Sequence, residues 1–439
     1  MKFFGRKEEI GKLREIRNRS LKSAQLTVLT GRRRVGKTSL LMKAFEEETV
    51  LYFFVERSTE SVLCEAFVAE ITEKLQIPLL GKVERFADIF DYLMELSKTR
   101  PVTLIIDEFQ NFNRVCSSVF SQIQKIWDLK KGESKMNLIV CGSVYSMMTK
   151  LFRDKKEPLY GRQTEFMKIE PFTPGVLKEI LAYYHPEYSK EDLLALYTYT
   201  GGVAKYVELL IDAEAVTAEK MLGRIITKNS YFIYEGKNML IEEFGRDYGR
   251  YFDILKLIAT GHNTRGDIEG ILHSEVSGYM TRLENDYGLI AKNKPMFQKS
   301  ANKNIVYAVN DLFMQFWFRY IYKYNYIIEA NGHKKLADIV ARDYETYSGK
   351  TLEQYFKAVM KESEQFTHID SWWDRKGENE IDIIAADDLE KQVTFYEVKR
   401  QRKELNMKVL KDKVQRFREV TGEYEKYSVS VNGLCIEDM

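Results

Sequence analysis

The chain has 439 residues, of which 44% are hydrophobic and 30% are charged, and its formal net charge is +2. These values exclude a disordered, collagen-like or strongly basic protein, so any affinity for nucleic acid must come from local patches. The length predicts about three domains. The four cysteines have no metal-ligand spacing and do not form a disulfide framework. Because no signal peptide opens the chain and no apolar run reaches about 18 residues, we expect a cytoplasmic protein without membrane contact.

The N-terminal part of the chain alternates between helices and short apolar strands. A charged helix over residues 5–17 comes first, and the predicted strands follow at 26–29, 50–55, 102–106 and 138–141. Predicted helices separate them at 39–45, 61–75, 86–96 and 115–129. This alternation favours right-handed βαβ units and a parallel sheet with helices on both faces. Ligands of such sheets bind beyond the carboxyl ends of the strands.

A phosphate-binding loop lies between the first strand and the helix after it. The sequence from Gly31 to Thr38 matches G-x-x-x-x-G-K-[ST] at all four fixed positions. The alternative is a chance glycine-rich turn ahead of a helix, which the full match and the flanking strand and helix disfavour. A strand, this loop and a helix direct several backbone N–H groups at one point, where phosphate binds. We therefore expect ATP and Mg²⁺, with Lys37 acting on the β and γ phosphates and Thr38 as a metal ligand. The expected nucleotide contacts are Gly31, Arg32, Arg33, Arg34, Val35, Gly36, Lys37, Thr38 and Ser39.

An acidic pair follows the third predicted strand. Asp107 is expected to hold Mg²⁺, and Glu108 is expected to orient and deprotonate the attacking water. The alternative interpretation is that the pair forms an acidic cap on the next helix. The presence of a phosphate loop earlier in the chain favours the functional interpretation. Ser143, after the fourth strand, either senses the γ-phosphate or caps the helix that follows.

Six short motifs together resemble one known family. They are FGRKEEI at 4–10, GRRRVGKTSLL at 31–41, LIIDEFQ at 104–110, CGS at 141–143, LYGR at 159–162 and TGGVAKY at 200–206. The set resembles the archaeal-type ATPases of the STAND branch, within the AAA+ group. The resemblance implies that Arg6 lies near the adenine and that Arg162 stabilises charge on the γ-phosphate. From the residues alone, Arg162 would be assigned to a surface loop. The chain departs from the family pattern at Ala204, where the family usually has proline.

Residues 171–240 are predicted to form a helical lid, and residues 241–310 a winged helix-turn-helix module. The third helix of that module would enter a major groove with Ser277, Tyr279 and Arg282. Lysines at 292, 294, 299 and 303 would contact phosphates from the wing loop. Acidic residues on the same helix oppose DNA, so contact with another protein remains an equal alternative. In the helical linker at 311–346, the aromatic residues of 312–328 favour a buried helix over base stacking.

The C-terminal residues, 347–439, combine a helix at 349–360 with a charged β-hairpin. If the hairpin turns at residues 389 and 390, Asp382 lies opposite Glu397, and Lys399 shares the face of Glu397. Glu353 borders the apolar stripe of the helix and would support the pair. Carboxylates that hold Mg²⁺ and a lysine that positions water are what phosphodiester cleavage requires. The alternative is a charged hairpin edge in which Glu397 and Lys399 form an ion pair.

This arrangement resembles the PD-(D/E)xK nuclease pattern, which occurs in tail domains of archaeal-type ATPases. The resemblance implies an α/β restriction-endonuclease-like fold, with Asp382, Glu397 and Glu353 as metal ligands and Lys399 as a catalytic residue. Segment 399–418 holds nine lysines or arginines against two acids. Such a segment suits a phosphate backbone, although a solvated helix face has the same composition.

The expected fold class is α/β. Its parts are a P-loop NTPase parallel sheet at 1–170, the helical lid, the winged helix, the linker and the nuclease-like domain. The expected function is an ATPase that acts on DNA or is regulated by it, with a metal-dependent nuclease-like C-terminal domain. The alternative is a nucleotide-dependent signalling switch whose C-terminal domain binds protein and cleaves nothing. DNA is the expected partner, through the winged helix and segment 399–418, and a homo-oligomer is compatible with this class.

Overall fold

The computed structural model describes residues 1–77, 81–143, 145–245, 248–297, 305–374 and 377–439. The chain divides into two compact units. One unit is Gly5–Glu170, and the other combines Met1–Phe4 with Pro171–Met439. Within the described ranges, no helix is both long enough and apolar enough to cross a bilayer.

The first unit is built on a parallel sheet of five strands in the order β2-β3-β4-β1-β5. Its strands are β1 (Gln25–Thr30), β2 (Val50–Phe54), β3 (Val102–Asp107), β4 (Met136–Gly142) and β5 (Glu165–Lys168). Its helices are α1 (Lys7–Ser20), α2 (Lys37–Ala44), α3 (Glu60–Leu75), α4 (Phe86–Thr99), α5 (Phe112–Val115), α6 (Val119–Lys130) and α7 (Tyr145–Arg153).

The central strands of this sheet follow from their sequence. Every residue of β1, β3 and β4 is buried, because a parallel sheet with helices on both faces leaves neither side of a strand in water. The predicted parallel α/β sheet is confirmed. Strand β5 was not predicted, since it is four residues long and carries a charged residue at each end.

The second unit begins with a helical region that continues into a small two-stranded sheet. The helices are α8 (Pro174–Tyr184), α9 (Lys190–Thr200), α10 (Ala204–Ile211), α11 (Ala218–Ile225), α12 (Tyr231–Phe244), α13 (Tyr248–Ala259), α14 (Arg265–Leu272), α15 (Ser277–Thr281), α16 (Leu312–Phe316) and α17 (Asn325–Glu329). Strands β6 (Ile290–Asn293) and β7 (Val306–Val309) pair antiparallel. Stretches of π-helix follow α15 and α16, at Arg282–Asp286 and Trp317–Tyr322. The aromatic side chains of residues 313, 316, 317, 318 and 320 are buried, as expected for a core segment.

The wing loop between β6 and β7 contacts the C-terminal part of the same unit. The backbone N–H of Met296 donates to the Ser371 carbonyl over 3.0 Å. The Met296 side chain is buried in a hydrophobic cluster with Trp372 and Phe417. The ring of Phe297 lies 5.3 Å from that of Tyr424. The wing lysines predicted at 299 and 303 lie outside the described residues.

The C-terminal part contains a mixed four-stranded sheet in the order β11-β10-β9-β8. Its elements are α18 (His333–Glu362), β8 (His368–Trp373), β9 (Glu380–Asp387), β10 (Gln392–Val398), α19 (Met407–Thr421) and β11 (Ser428–Leu434). Strands β10 and β11 are parallel, and α19 forms the connection between them, whereas β8–β9 and β9–β10 are antiparallel. The helix predicted at 349–360 is the second half of α18, which has 30 residues. Strands β8 and β11, at the two edges of this sheet, were not predicted.

Candidate functional site

The predicted phosphate loop connects β1 to α2, and its two glycines have the positive φ angles that such a loop requires. Gly31 and Gly36 have positive φ angles of 147° and 90°, and Arg34 also lies in the left-handed region at 70°. A Cβ on Gly31 would stand 2.5 Å from the carbonyl oxygen of Ile169, so no larger residue fits there. Among the described residues no side chain caps α2 at Gly36, and Ser39 in its first turn is exposed. The first-turn amide groups of α2 therefore receive no hydrogen bond from an N-cap side chain.

Lys37 is a partly buried cation of this loop. Its Nζ donates to the carbonyl oxygens of Gly31 at 2.7 Å and Arg32 at 3.1 Å. Burial lowers the pKa of Lys37, and the nearby carboxylates of Asp107 and Glu108 offset only part of that effect. An ammonium group that is bonded to neutral carbonyls and depleted of water fits an anion, and the phosphate chain of a nucleotide would satisfy it.

Three side chains meet at one carboxylate oxygen beside the loop. The Thr38 hydroxyl donates to Oδ2 of Asp107 at 3.2 Å, and the Tyr52 hydroxyl donates to the same oxygen at 2.6 Å. The other oxygen, Oδ1, accepts the backbone N–H of Glu108 at 2.9 Å. Hydroxyl and carboxylate oxygens are the donors that Mg²⁺ prefers, so the set Thr38 and Asp107 fits the predicted ion. Tyr52 was not predicted from the sequence.

Glu108 follows β3 in a left-handed conformation, with a φ angle of 52°. Its Oε2 accepts hydrogen bonds from Gln110 Nε2 at 2.5 Å and from the Ser143 hydroxyl at 3.3 Å. Nε of Arg33 donates in turn to that hydroxyl at 3.3 Å. Ser143 therefore lies at the predicted end of β4 and joins the loop to the carboxylate. Gln110 is a further residue that was not predicted.

The structure brings Arg6 to the loop but gives Arg162 other partners. Arg6 donates through Nη2 to the carbonyl oxygens of Val35 and Glu170, so it contacts the backbone of the loop. Arg162 donates to the Tyr160 carbonyl at 2.7 Å and pairs with Asp128 at 3.0 Å. Its role at a γ-phosphate remains a prediction, because neither partner belongs to the phosphate loop.

A second charged cluster lies on β9 and β10. Tyr396 pairs with Ile383, so the next pair in this register is Glu397 opposite Asp382, as the hairpin prediction required. Lys399 Nζ lies 3.0 Å from Oε1 of Glu397 and 3.8 Å from Oδ2 of Asp382. Lys413 of α19 was not predicted, and it pairs with Oε2 of Glu397 at 2.9 Å.

The acids of this cluster have different tendencies to take a proton. Burial raises the pKa of Asp382, although the backbone N–H of Val398 donates to it at 2.7 Å. Burial also opposes the charged form of Glu397, but hydrogen bonds from Lys413 and Lys399 outweigh it and hold its pKa below the usual value. Burial, followed by the charges of Asp382 and Glu380, raises the pKa of Glu353 to about 8.

The predicted metal ligands Glu353, Asp382 and Glu397 are not assembled as a set of three. Among the described residues, no group of three or more His, Cys, Asp or Glu side chains is placed to hold a metal ion. The two strand carboxylates instead both pair with the Lys399 ammonium. Their oxygen atoms have the donor chemistry that Mg²⁺ or Mn²⁺ requires, and Lys399 would have to yield some of its contacts to such an ion.

A hydrogen-bonded chain links this cluster to the wing loop. Lys357 Nζ donates to the Ser371 hydroxyl, which itself donates to the Asp382 carbonyl at 2.8 Å. Ser371 sits where the register of β8 against β9 shifts, and its own carbonyl accepts from Met296. Burial lowers the pKa of Lys357, with a partial offset from Glu353. Lys357 and Ser371 were not predicted.

The predicted DNA-contacting groups are partly engaged within the chain. Arg282 donates to the Tyr251 hydroxyl at 3.4 Å, and the ring of Tyr279 packs edge-on against that of Tyr251 at 5.2 Å. Ser277 donates to Glu275 at 2.6 Å. In segment 399–418, ion pairs join Arg400 to Glu191 and Arg402 to Glu437 and Asp438. The cations of this segment for which the structure shows no ion pair within the described residues are Lys403, Lys408, Lys411 and Arg418.

Two family models match separate parts of the chain. Residues 3–210 match an ATPase domain found predominantly in Archaea. Residues 317–411 match a family described as archaeal and bacterial proteins of unknown function. An uncharacterized protein of Methanocaldococcus jannaschii, MJECL04, is 30% identical, and the match covers 99% of this chain and 98% of that protein.

Solved structures resemble the chain in fold. The Walker-type ATPase PABY2304 of Pyrococcus abyssi superposes with a TM-score of 0.57 at 22% identity, over 72% of this chain and 96% of that protein. The ORC2 protein of Aeropyrum pernix, solved as ADPNP–ADP complexes, has a TM-score of 0.50 at 15% identity, over 73% and 94% of the two chains. The chain therefore belongs to one family with the M. jannaschii protein, and its N-terminal part is an archaeal-type P-loop ATPase domain.

Proposed function

We propose that the chain binds ATP with Mg²⁺ at its phosphate loop and hydrolyses it. The observation that carries this proposal is the convergence of Lys37, Thr38, Asp107 and Glu108 at one edge of the parallel sheet. A partly buried lysine, two oxygen atoms that can bind a metal ion and a carboxylate held by hydrogen bonds are the groups that phosphoryl transfer to water requires. The archaeal ATPase match over residues 3–210 supports the same reaction.

Each side chain has a separate task in this reaction. Bound Mg²⁺ would offset the charge of the β and γ phosphates, and Thr38 and Asp107 supply oxygen atoms that fit it. Lys37 exchanges its loop carbonyls for phosphate oxygens, which compensates its buried charge. Glu108 orients the attacking water and accepts its proton, and hydrogen bonds from Gln110 and Ser143 hold the carboxylate in place.

Two substitutions separate binding from chemistry. Lys37→Ala should abolish tight binding of a fluorescent ATP analogue and phosphate release together, because the phosphates lose their counter-charge. Glu108→Gln should retain nucleotide affinity while hydrolysis falls about 10²- to 10⁴-fold, because only the base is lost. Lys43→Ala, which removes a cation paired with Glu46 from the same helix, is the matched control and should behave as wild type. Hydrolysis at the wild-type rate by Glu108→Gln would make Glu108 a structural cap.

We also propose that the C-terminal cluster cleaves phosphodiester bonds in DNA with the help of a divalent metal. The supporting observation is the group formed by Asp382, Glu397 and Lys399 on adjacent strands. Two carboxylates provide the metal-binding oxygens, and the ammonium offsets charge that develops on the phosphate. Lys357 of α18 is connected to the cluster through Ser371, and Glu353 of the same helix would support the two strand carboxylates. The cations of α19 and the segment before it would contact the DNA backbone.

The competing function is a nucleotide-dependent signalling switch in which the C-terminal domain binds protein and cleaves nothing. The observation that favours it is the engagement of Tyr279 and Arg282 with Tyr251, which leaves these predicted base-reading groups turned towards their own module. The ion pairs of Lys399 and Lys413 with Glu397 are equally compatible with a purely structural cluster.

Nicking of supercoiled plasmid by the full chain with Mn²⁺ or Mg²⁺ decides between the two functions. Asp382→Asn should lose cleavage and the metal-induced rise in melting temperature, whereas Lys399→Ala should lose cleavage and keep the metal response. Asp388→Asn removes a carboxylate from the hairpin turn, where it bonds His368 and Tyr427, and serves as the control. A folded wild-type protein that neither nicks DNA nor responds to metal would overturn the nuclease proposal and leave the switch as the remaining candidate.

A further inference from the structure

Tyr52 belongs to the phosphate site although no motif includes it. It lies on β2, the strand beside β3, and its hydroxyl reaches Oδ2 of Asp107 at 2.6 Å. That oxygen also accepts the Thr38 hydroxyl, so Tyr52, Asp107 and Thr38 form one hydrogen-bonded row. The row joins β2, β3 and the start of α2, and it contains both groups assigned to Mg²⁺.

The sheet explains why Tyr52 can reach this position. Leu51 and Phe53 point into the hydrophobic cluster on one face of β2, so the alternation of a strand directs Tyr52 to the opposite face. Asp107 pairs with Phe54, two residues further along the same strand. A phenol is long enough to span that offset. A phenol carries its proton at neutral pH, so the Tyr52 hydroxyl acts as the donor to this carboxylate.

We propose that Tyr52 is a positioning residue for the magnesium site, and that it sets the metal requirement of nucleotide binding by fixing the Asp107 carboxylate. The inference rests on the proposed function of the phosphate loop. The backbone N–H of Glu108 fixes one oxygen of Asp107, and Tyr52 fixes the other. Without the phenol, Thr38 is the only side chain among the described residues that donates to Oδ2, and Thr38 is itself an assigned ligand. A carboxylate that can rotate presents its oxygens less often in the orientation that the ion requires.

The test measures nucleotide affinity as a function of Mg²⁺ concentration in the full chain. Tyr52→Phe should raise the Mg²⁺ concentration for half-maximal binding of fluorescent ADP about tenfold, the lower end of the effect of losing an orienting partner. Affinity for the same nucleotide in EDTA should not change, because Lys37 and the loop amides are intact. The melting temperature without Mg²⁺ should stay close to that of wild type.

The matched control is Tyr92→Phe, which removes a phenol from the same unit at a position where the described residues show no hydrogen bond to its hydroxyl. This control should retain the wild-type Mg²⁺ dependence. An unchanged Mg²⁺ dependence in Tyr52→Phe would overturn the inference, and so would an equal loss of affinity in EDTA, which would indicate a structural role. Failure of wild type itself to bind nucleotide would overturn the proposed function instead, so the two outcomes are distinguishable.

Discussion

At the level of single residues, Glu353 differs from the strand carboxylates of its cluster because no cation of the described residues forms an ion pair with it. Glu397 has two ammonium partners, at 3.0 and 2.9 Å, and Asp382 has a backbone donor. Glu353 is half-buried, and loss of water, followed by the charges of Asp382 and Glu380, raises its pKa to about 8. At neutral pH the folded chain therefore keeps a proton on Glu353 that the unfolded chain releases.

This difference predicts a pH dependence of stability. The ordinary pKa of a glutamate is 4.5 and the folded value is about 8, so the folded state binds the extra proton between these limits. Stability from Glu353 is present below the lower limit and is lost as the pH rises through the upper one. In thermal melts in EDTA, wild type should lose stability between pH 5 and pH 8, and Glu353→Gln should lose less.

The control for this comparison is Glu345→Gln, which removes an exposed carboxylate from the same helix. It should follow the wild-type curve. Parallel curves for wild type and Glu353→Gln would mean that Glu353 is ionised in the folded protein.

The sequence predicts the phosphate loop well because the chemistry fixes residue type and spacing over eight neighbouring positions. Tyr52, Lys357 and Lys413 could not be predicted, since each reaches its site from a separate element whose position depends on the whole fold. Gln110 is different, because it lies two residues after Glu108 and only its hydrogen bond to that carboxylate was missed. The one local indication for Tyr52 was a phenol within an apolar strand, because a buried hydroxyl needs a hydrogen-bond partner.

At the level of elements, the packing of α12 against the π-helical stretch Trp317–Tyr322 depends on a single glycine. A Cβ on Gly236 would lie 2.3 Å from Cδ2 of Trp317, whose indole N–H donates to the Ile233 carbonyl at 2.9 Å. The indole ring is therefore fixed both by contact and by a hydrogen bond. Moving α12 away from the indole ring would break the hydrogen bond between Trp317 and Ile233.

Gly236→Ala should therefore destabilise the second unit by about 1 to 3 kcal/mol, the usual cost of overpacking a core. Gly223→Ala is the matched control, because Gly223 lies inside α11 with no atom of the described residues within 4 Å of the added methyl group. The control should gain roughly 0.5 to 1 kcal/mol, since alanine favours the helix. Chemical denaturation measures both changes. Equal stability of the two variants would show that α12 moves to accommodate the methyl group.

The elements that the sequence did not predict have a common physical origin. Strands β3 and β4 are continuous apolar runs, whereas β8 and β11 are edge strands that mix polar and apolar residues. The first half of α18 buries Leu336, Val340, Tyr344 and Ser348, which are four positions apart. A stripe one residue wide, ending in a serine, carries too little apolar surface to indicate a helix. These elements are therefore determined by what they pack against.

At the level of the whole molecule, net charge is close to zero and positive charge is available only locally. Lys408 and Lys411 lie three residues apart on α19, on one exposed face. If this face contacts DNA, the double variant Lys408→Gln/Lys411→Gln should reduce the slope of log affinity against log salt by about 1.8, or about 0.9 per contact. Fluorescence anisotropy with a duplex at several salt concentrations measures the slope.

The control is Lys334→Gln/Lys335→Gln, which removes two exposed cations from the start of α18. The control slope should equal that of wild type. An equal loss of slope in both variants would indicate a diffuse attraction without a defined surface, and no measurable affinity at low salt would favour the signalling switch.

Because the wing loop packs on the C-terminal sheet, a fragment of that sheet is complete only if it includes the wing loop. Met296 and Phe297 cover part of the surface around Trp372, Phe417 and Tyr424, and the Met296 amide pairs with the edge strand β8. A fragment that begins after the wing would expose those aromatic rings beside an open strand edge, and such a surface promotes self-association. Aggregation of residues 340–439 alone would then reflect a missing cover and would carry no information about metal binding. Truncations that keep the chain from Pro171 onwards retain this cover together with the packing of α12 on Trp317, and they are the shortest versions we expect to remain dispersed in solution.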